Sequence, residues 1–175
     1  MSKKIVVIGG IGYGRTTLIA AVKSVFCGEF THPMDIEEID SRYNVKFSYG
    51  GDEYEFFDFP VTEDYAENLD GTETGAVLVI DSCEGPLGSA REQIGICIEK
   101  GIKNFALFMN KRDILDDDNL MDISEMETKE VFDEEGIFGD EVPTVWGSAE
   151  KALWEPESYW GDSVRILVDK ISCEF

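Results

Sequence analysis

The sequence predicts an α/β fold in which a mostly parallel six-stranded sheet, with one antiparallel edge strand, carries helices on both faces. Residues 4–17 have the pattern of a strand, a glycine-rich turn and the start of a helix. Residues 76–81 and 105–110 are continuous apolar runs, which is typical of strands buried on both faces of a parallel sheet. Amphipathic segments alternate with these runs, so right-handed strand–helix–strand crossovers are expected.

The glycine-rich turn has the spacing of a phosphate-binding loop. The apolar run at residues 5–8 leads into Gly9-Gly10-Ile11-Gly12-Tyr13-Gly14-Arg15-Thr16-Thr17. In such a loop, backbone N–H groups and a helix N-terminus surround a phosphate chain, and Arg15 stands where the motif has Lys. A dinucleotide-binding turn would need a third glycine at Arg15 or Thr17, which excludes it. An ordinary glycine-rich turn remains the alternative.

The elements after this loop follow from periodicity and turn residues. Residues 17–26 have helical spacing, and Gly28 is the expected stop. Residues 29–43 are expected to form a surface loop, in which His32 is a solvated residue and not a catalytic group. Residues 44–49 and 53–58 alternate around two glycines and predict an antiparallel hairpin. Further helices are predicted at 91–100, 122–132 and 163–171, and a strand at 142–146.

The length and the net charge of the chain limit the functions that are compatible with the sequence. The 175 residues are expected to form one domain over residues 1–175. The net charge of −22 repels phosphate backbones and anionic headgroups, so we expect no direct nucleic-acid or membrane binding. Residues 113–141 include 13 acidic residues and one lysine. This segment is interpreted either as a solvated surface or as a docking surface for a basic partner. The four cysteines lack metal-ligand spacing and no leader is evident, so a cytoplasmic location is expected.

Three polar segments follow predicted strands, at the sheet edge where such folds bind ligands. Asp58 can hold Mg²⁺ through water beside the Thr16 hydroxyl. In Asn110-Lys111-Arg112-Asp113, the last carboxylate can accept two hydrogen bonds from guanine and reject adenine. Gly147-Ser148-Ala149 can offer a backbone N–H to the guanine carbonyl.

In order and spacing, these motifs resemble the G domain of elongation factor Tu and related translational GTPases, over nearly the whole chain. The resemblance implies a P-loop G-domain fold that binds GTP or GDP with Mg²⁺. The resemblance implies that Asn110, Lys111 and Asp113 recognise guanine and that Ser148 and Ala149 complete the base pocket. It places phosphate binding at Gly9, Gly12, Tyr13, Gly14, Arg15, Thr16 and Thr17, and Mg²⁺ binding at Thr16, Asp58 and Asn44.

The sequence departs from the family at the residues expected to form the nucleotide-dependent switch segments and to support GTP hydrolysis. Where the family reads Asp-x-Pro-Gly-His, this chain has Asp58-Phe59-Pro60-Val61-Thr62. Val61 replaces the glycine that turns its N–H toward the γ-phosphate, and Thr62 replaces the histidine that positions water. Asn44 stands at the Mg²⁺-binding Thr of the family. The chain ends at the domain's closing helix, so the two β-barrel domains of the family are expected to be absent.

Three functions are compatible with this pattern. The first is a guanine-nucleotide-binding protein with weak or absent GTP hydrolysis. The second is an active GTPase that uses groups supplied by a partner. The third is a protein-interaction module, a mimic or competitor of a translation factor, that has lost nucleotide turnover or binding. A protein partner is expected, with the translation machinery as one candidate.

Overall fold

Residues 1–35, 38–39, 42–58 and 69–175 are described by the computed structural model of the protein. The strands are β1 (Ser2–Gly9), β2 (Glu38–Ile39), β3 (Arg42–Tyr49), β4 (Asp52–Asp58), β5 (Gly75–Asp81), β6 (Phe105–Asn110) and β7 (Thr144–Trp146). The α-helices are α1 (Arg15–Cys27), α2 (Gly88–Glu99), α3 (Asp118–Glu134), α4 (Ala149–Trp154) and α5 (Tyr159–Glu174).

In these ranges the strands form one sheet in the order β2-β3-β4-β1-β5-β6-β7. Strands β4, β1, β5, β6 and β7 are parallel, while β3 is antiparallel to β4 and β2 is antiparallel to β3. The predicted mostly parallel sheet with an antiparallel edge is confirmed, and the two-residue β2 extends that edge. The hairpin turns at Gly50 and Gly51, whose φ angles of 61° and 92° are the positive values that a tight hairpin turn favours.

Apolar side chains fill a layer on each face of the sheet. On β1, Ile5 and Val7 face a layer built with α1, α4 and α5, whereas Val6 and Ile8 face a layer built with α2 and α3. All four side chains are fully buried, as expected for a central strand covered on both faces. This confirms helices on both faces of the sheet.

The predicted helices are present, and each begins before its predicted start; the helix predicted at 91–100 ends one residue early, at Glu99. Gly28, with φ 67°, ends α1 as predicted. The predicted helix at 122–132 begins earlier, because the Asp117 carboxylate accepts from the N–H groups of Asn119 and Leu120 and caps α3. Helix α4 was not predicted, since its six residues are too few for a periodic pattern. No helix in the described ranges is long and apolar enough to cross a membrane.

Candidate functional site

The glycine-rich loop between β1 and α1 depends on its glycines. Gly9, Gly12 and Gly14 have φ angles of 148°, 78° and 98°, which side chains other than glycine rarely adopt. A Cβ atom at Gly9 would lie 2.5 Å from the carbonyl oxygen of Val79, and one at Gly14 would clash with the amide nitrogen of Asn110. Among the described residues no side chain caps α1, so its first N–H groups suit an anion.

Asn110 joins this loop to the segment after β7. Its Nδ2 donates to the carbonyl of Tyr13 at 2.8 Å, and its Oδ1 accepts from the N–H of Ala149 at 2.8 Å. The Asn110 side chain is buried and uses both ends of its amide to satisfy backbone groups. The structure therefore brings Asn110 to the phosphate loop. The N–H of Ala149, in the segment expected to offer an N–H to the guanine carbonyl, donates to this amide.

Lys111 crosses the cleft beside Asn110. Its Nζ donates to the carbonyl of Gly12 at 2.9 Å and to the carboxylate of Asp81 at 2.5 Å. Asp81 ends β5, is buried, and also accepts from the N–H of Cys83 at 2.9 Å. Sequence reasoning did not single out Asp81. The sequence feature that could have indicated Asp81 is a charged residue at the end of an apolar strand. Asn110 occupies the same position at the end of β6.

The predicted base-reading residues and the loop line one cleft of about 190 Å³. Predicted residues on its wall are Gly12, Gly14, Thr17, Asn110, Lys111, Asp113 and Ser148. The wall also includes residues that the sequence did not indicate: Pro33, Ile114, Glu150, Leu153 and Trp154. His32 is exposed, as expected of a solvated loop residue, and it also lines the cleft, with Nδ1 accepting from the N–H of Met34 at 3.3 Å. The chain separates His32 from the strand ends, so sequence spacing could not reveal this proximity.

Arg15, Thr16 and Asp58 form a second group at the N-terminus of α1. The Thr16 hydroxyl donates to one carboxylate oxygen of Asp58 at 3.1 Å, and Nη1 of Arg15 lies 3.0 Å from the other. The Arg15 and Asp58 side chains are only 9% and 1% exposed, so this is a buried ion pair. The predicted proximity of Thr16 to Asp58 is present, and Arg15 accompanies them.

Asn44 does not join this group. Its partner across the β3–β4 ladder is Phe57, so its side chain lies on the opposite face of the sheet from that of Asp58. Its amide nitrogen lies 3.5 Å from the Glu55 carboxylate. The prediction that Asn44 joins Thr16 and Asp58 in a Mg²⁺ site is therefore wrong, because side chains of successive strand residues alternate between faces.

The residues present do not fit the implied Mg²⁺ site. One of its three predicted ligands lies on the wrong face of the sheet, and Asp58 is already paired with a cation. Val61 and Thr62 lie outside the described residues, so their predicted positions remain predictions.

Tyr13 anchors the glycine-rich loop to the segment after β5. Its hydroxyl donates to the carbonyl of Gly85 at 2.8 Å, and its side chain is buried. Burial, with the negative charges of Glu84 and Asp81, raises the pKa of Tyr13 to about 12. The hydroxyl is therefore a neutral donor, and the contact holds the loop in place.

A family comparison covers most of this chain. The model for the elongation factor Tu GTP binding domain matches residues 39–172. The match includes Asp58, residues 110–113 and residues 147–149, and it supports a GTP-binding, GTPase-like function. It begins after the glycine-rich loop, so the assignment of that loop rests on its spacing and its geometry.

Proposed function

The chain belongs to the elongation factor Tu GTP-binding domain family, and from this premise we propose that it binds GTP or GDP selectively and hydrolyses GTP weakly or not at all. The observation that carries the proposal is the shared cleft. It is lined both by the phosphate loop, at Gly12 and Gly14, and by the base-reading residues Lys111 and Asp113. A cleft lined from both sides suits a ligand with a phosphate chain at one end and a base at the other.

Each end of the cleft has a chemical role in this proposal. The uncapped N-terminus of α1 binds phosphate oxygens through backbone N–H groups. The aliphatic stem of Lys111 covers one face of the base while its ammonium group stays on Gly12 and Asp81. The Asp113 carboxylate accepts from N1–H and the exocyclic amine of guanine, a donor pair that adenine does not offer.

Calorimetry of the Asp113→Asn variant tests the base assignment. Wild-type protein is expected to bind GDP and not ADP. The variant is expected to lose most GDP affinity and to prefer xanthosine diphosphate, because the amide reverses the donor and acceptor pattern. Asp116→Asn, in the same acidic segment but not on the cleft wall, is the matched control. Equal GDP affinity in wild type and the Asp113 variant would contradict the assignment.

Slow hydrolysis is proposed from the residues that replace the family's catalytic turn. A water-positioning side chain is worth on the order of 10² to 10⁴ in rate, and the Thr62 side chain is too short to replace a histidine. Val61 stands where the family has a glycine whose N–H turns toward the γ-phosphate, and a β-branched residue is stiffer than glycine. Single-turnover assays should show little gain for Thr62→His alone and a large gain when Val61→Gly and Arg15→Lys are added. A wild-type rate that matches the triple variant would contradict this part of the proposal.

A second candidate function is a protein-interaction module. Helix α3 exposes Leu120, Ile123 and Met126 among acidic side chains. Exposed apolar groups in an acidic surface suit a partner with basic and apolar groups, and the translation machinery is one candidate. Trp160 packs against the core, whereas Trp154 is 60% exposed and lies against Phe30 with ring centroids 4.5 Å apart.

The −22 charge argues against a direct RNA partner for either function. A filter-binding assay should therefore show no submicromolar tRNA affinity at physiological salt. Tight binding there would contradict this. The Asp113→Asn variant separates the two functions, because it should lose GDP and keep any contact made by α3.

A further inference from the structure

The Arg15–Asp58 ion pair lies where the family's carboxylate would support a divalent cation. Arg15 is the first residue of α1, and its side chain runs beneath the glycine-rich loop, with Cγ 3.5 Å from the position of a Cβ atom on Gly9. Its Nη1 reaches Asp58 at the end of β4 at 3.0 Å. The guanidinium therefore lies inside the fold, between the loop and the sheet.

The Arg15 guanidinium is always charged, and its contact with Asp58 fixes its position. A guanidinium does not lose its proton in proteins, so Arg15 cannot adapt to its surroundings by becoming neutral. Both members of the pair are nearly excluded from water, and separating them would leave a buried charge without compensation. The second oxygen of Asp58 accepts from Thr16, so both carboxylate oxygens are engaged. The Asp58 carboxylate is therefore paired with a cation before any ligand binds.

A divalent cation at this position would meet the guanidinium at short range. Like charges that share one carboxylate repel strongly in a site that excludes water. Asn44, the third predicted ligand, lies on the other face of the sheet and cannot offset that repulsion. The phosphate loop in turn needs a positive charge near its bound anion, and Arg15 brings one to the base of that loop.

We propose that Arg15 stands in for the divalent cation, so that guanine nucleotide binds to this protein with an affinity that does not depend on Mg²⁺. This inference rests on the proposed function, because it concerns the same nucleotide. It assigns Arg15 a positioning and charge-balancing role toward the phosphate chain through Asp58 and the N-terminus of α1.

The test is a titration of wild-type protein with a fluorescent GDP analogue in excess Mg²⁺ and again in excess EDTA. The two dissociation constants should agree within about twofold, which is well under the tenfold that 1.4 kcal/mol represents. Arg15→Lys, which returns the motif residue, should bind at least about tenfold more weakly in EDTA than in Mg²⁺. Lys23→Arg, elsewhere on α1 and paired with Glu29 at 3.4 Å, is the matched control and should behave as wild type.

A metal titration of the wild-type complex needs no variant. Electron paramagnetic resonance of Mn²⁺ added to protein with GDP should show only the signals of free Mn²⁺ and of Mn²⁺ on free GDP. A protein-bound Mn²⁺ signal, or wild-type GDP binding that is lost in EDTA, would overturn the inference and leave the proposed function standing. Absence of GDP binding in both buffers would overturn the proposed function and the inference with it.

Discussion

The two ends of the cleft are built by different physical means. At the base end, Asn110 joins the backbones of Tyr13 and Ala149 through neutral hydrogen bonds. At the phosphate end, beneath the loop and not on the cleft wall, Arg15, Asp58 and Thr16 contact one another in a buried charged group. The base end therefore resembles a site that is preorganised for its ligand. At the phosphate end, the Asp58 carboxylate is already paired with the Arg15 guanidinium. We therefore propose that guanine recognition and metal-dependent phosphate chemistry are separable in this fold.

The largest effect is expected from breaking the charged group at the phosphate end. Asp58→Asn removes the counter-charge of the buried Arg15 and should lower the free energy of unfolding by about 3–5 kcal/mol. Asp52→Asn, at the other end of β4, is the matched control, because Asp52 is partly exposed, pairs closely with the exposed N-terminus, and lies as far as 4.0 Å from Nζ of Lys3. Urea denaturation of both variants measures the difference. Equal losses in the two variants would show that Arg15 does not depend on Asp58.

A smaller effect is expected from breaking the base end. Asn110→Ala leaves the carbonyl of Tyr13 and the N–H of Ala149 without their partner beside the open cleft, at a total cost of about 1–3 kcal/mol. GDP affinity should fall as well, because the loop and the base-reading segment separate. Asn104→Ala, at the opposite end of β6, removes a single bond from Nδ2 to the carbonyl of Thr74 at 3.0 Å.

Denaturation and GDP calorimetry on this pair sharpen the comparison. The Asn104 variant should lose about 1 kcal/mol and keep its GDP affinity. If GDP affinity fell equally in both variants, the loss would reflect general stability and not the joining of the two loops. The contrast between the two ends of the cleft would then be unsupported.

The smallest effect is expected at the contact of Tyr13 with Gly85, and it depends on pH. The pKa of Tyr13 is raised to about 12 in the folded state, while an unfolded tyrosine titrates near ~10. Between these values the unfolded chain releases a proton that the folded chain keeps, so stability is full below pH ~10 and falls as pH rises through this window. Tyr13→Phe should flatten that fall. Urea denaturation of wild type and Tyr13→Phe over this pH range measures the free energy of unfolding. The same pH dependence in both proteins would contradict the prediction.

The sequence predicted the sheet, both helix layers and most of the cleft, because these follow from local signals. Apolar runs, glycine spacing and polar residues at strand ends are local, so β5, β6 and the loop before α1 could be predicted. The face on which Asn44 lies could not, because one residue of strand register moves a side chain through the sheet. The contact of Arg15 with Asp58 and the approach of His32 to the cleft depend on tertiary packing. A motif comparison shows that Arg15 differs from the usual Lys, but it does not show which group the guanidinium meets.

The nucleotide content of the purified protein tests the central claim most directly. The protein would be denatured, and the released small molecules separated by chromatography, with a parallel sample incubated with a mixture of GDP and ADP before desalting. The account predicts that guanine nucleotide is released, and that only GDP is retained from the mixture. Protein that carries no nucleotide and retains neither from the mixture, or that retains ADP as well as GDP, would contradict the claim that the base end of the cleft is a guanine site.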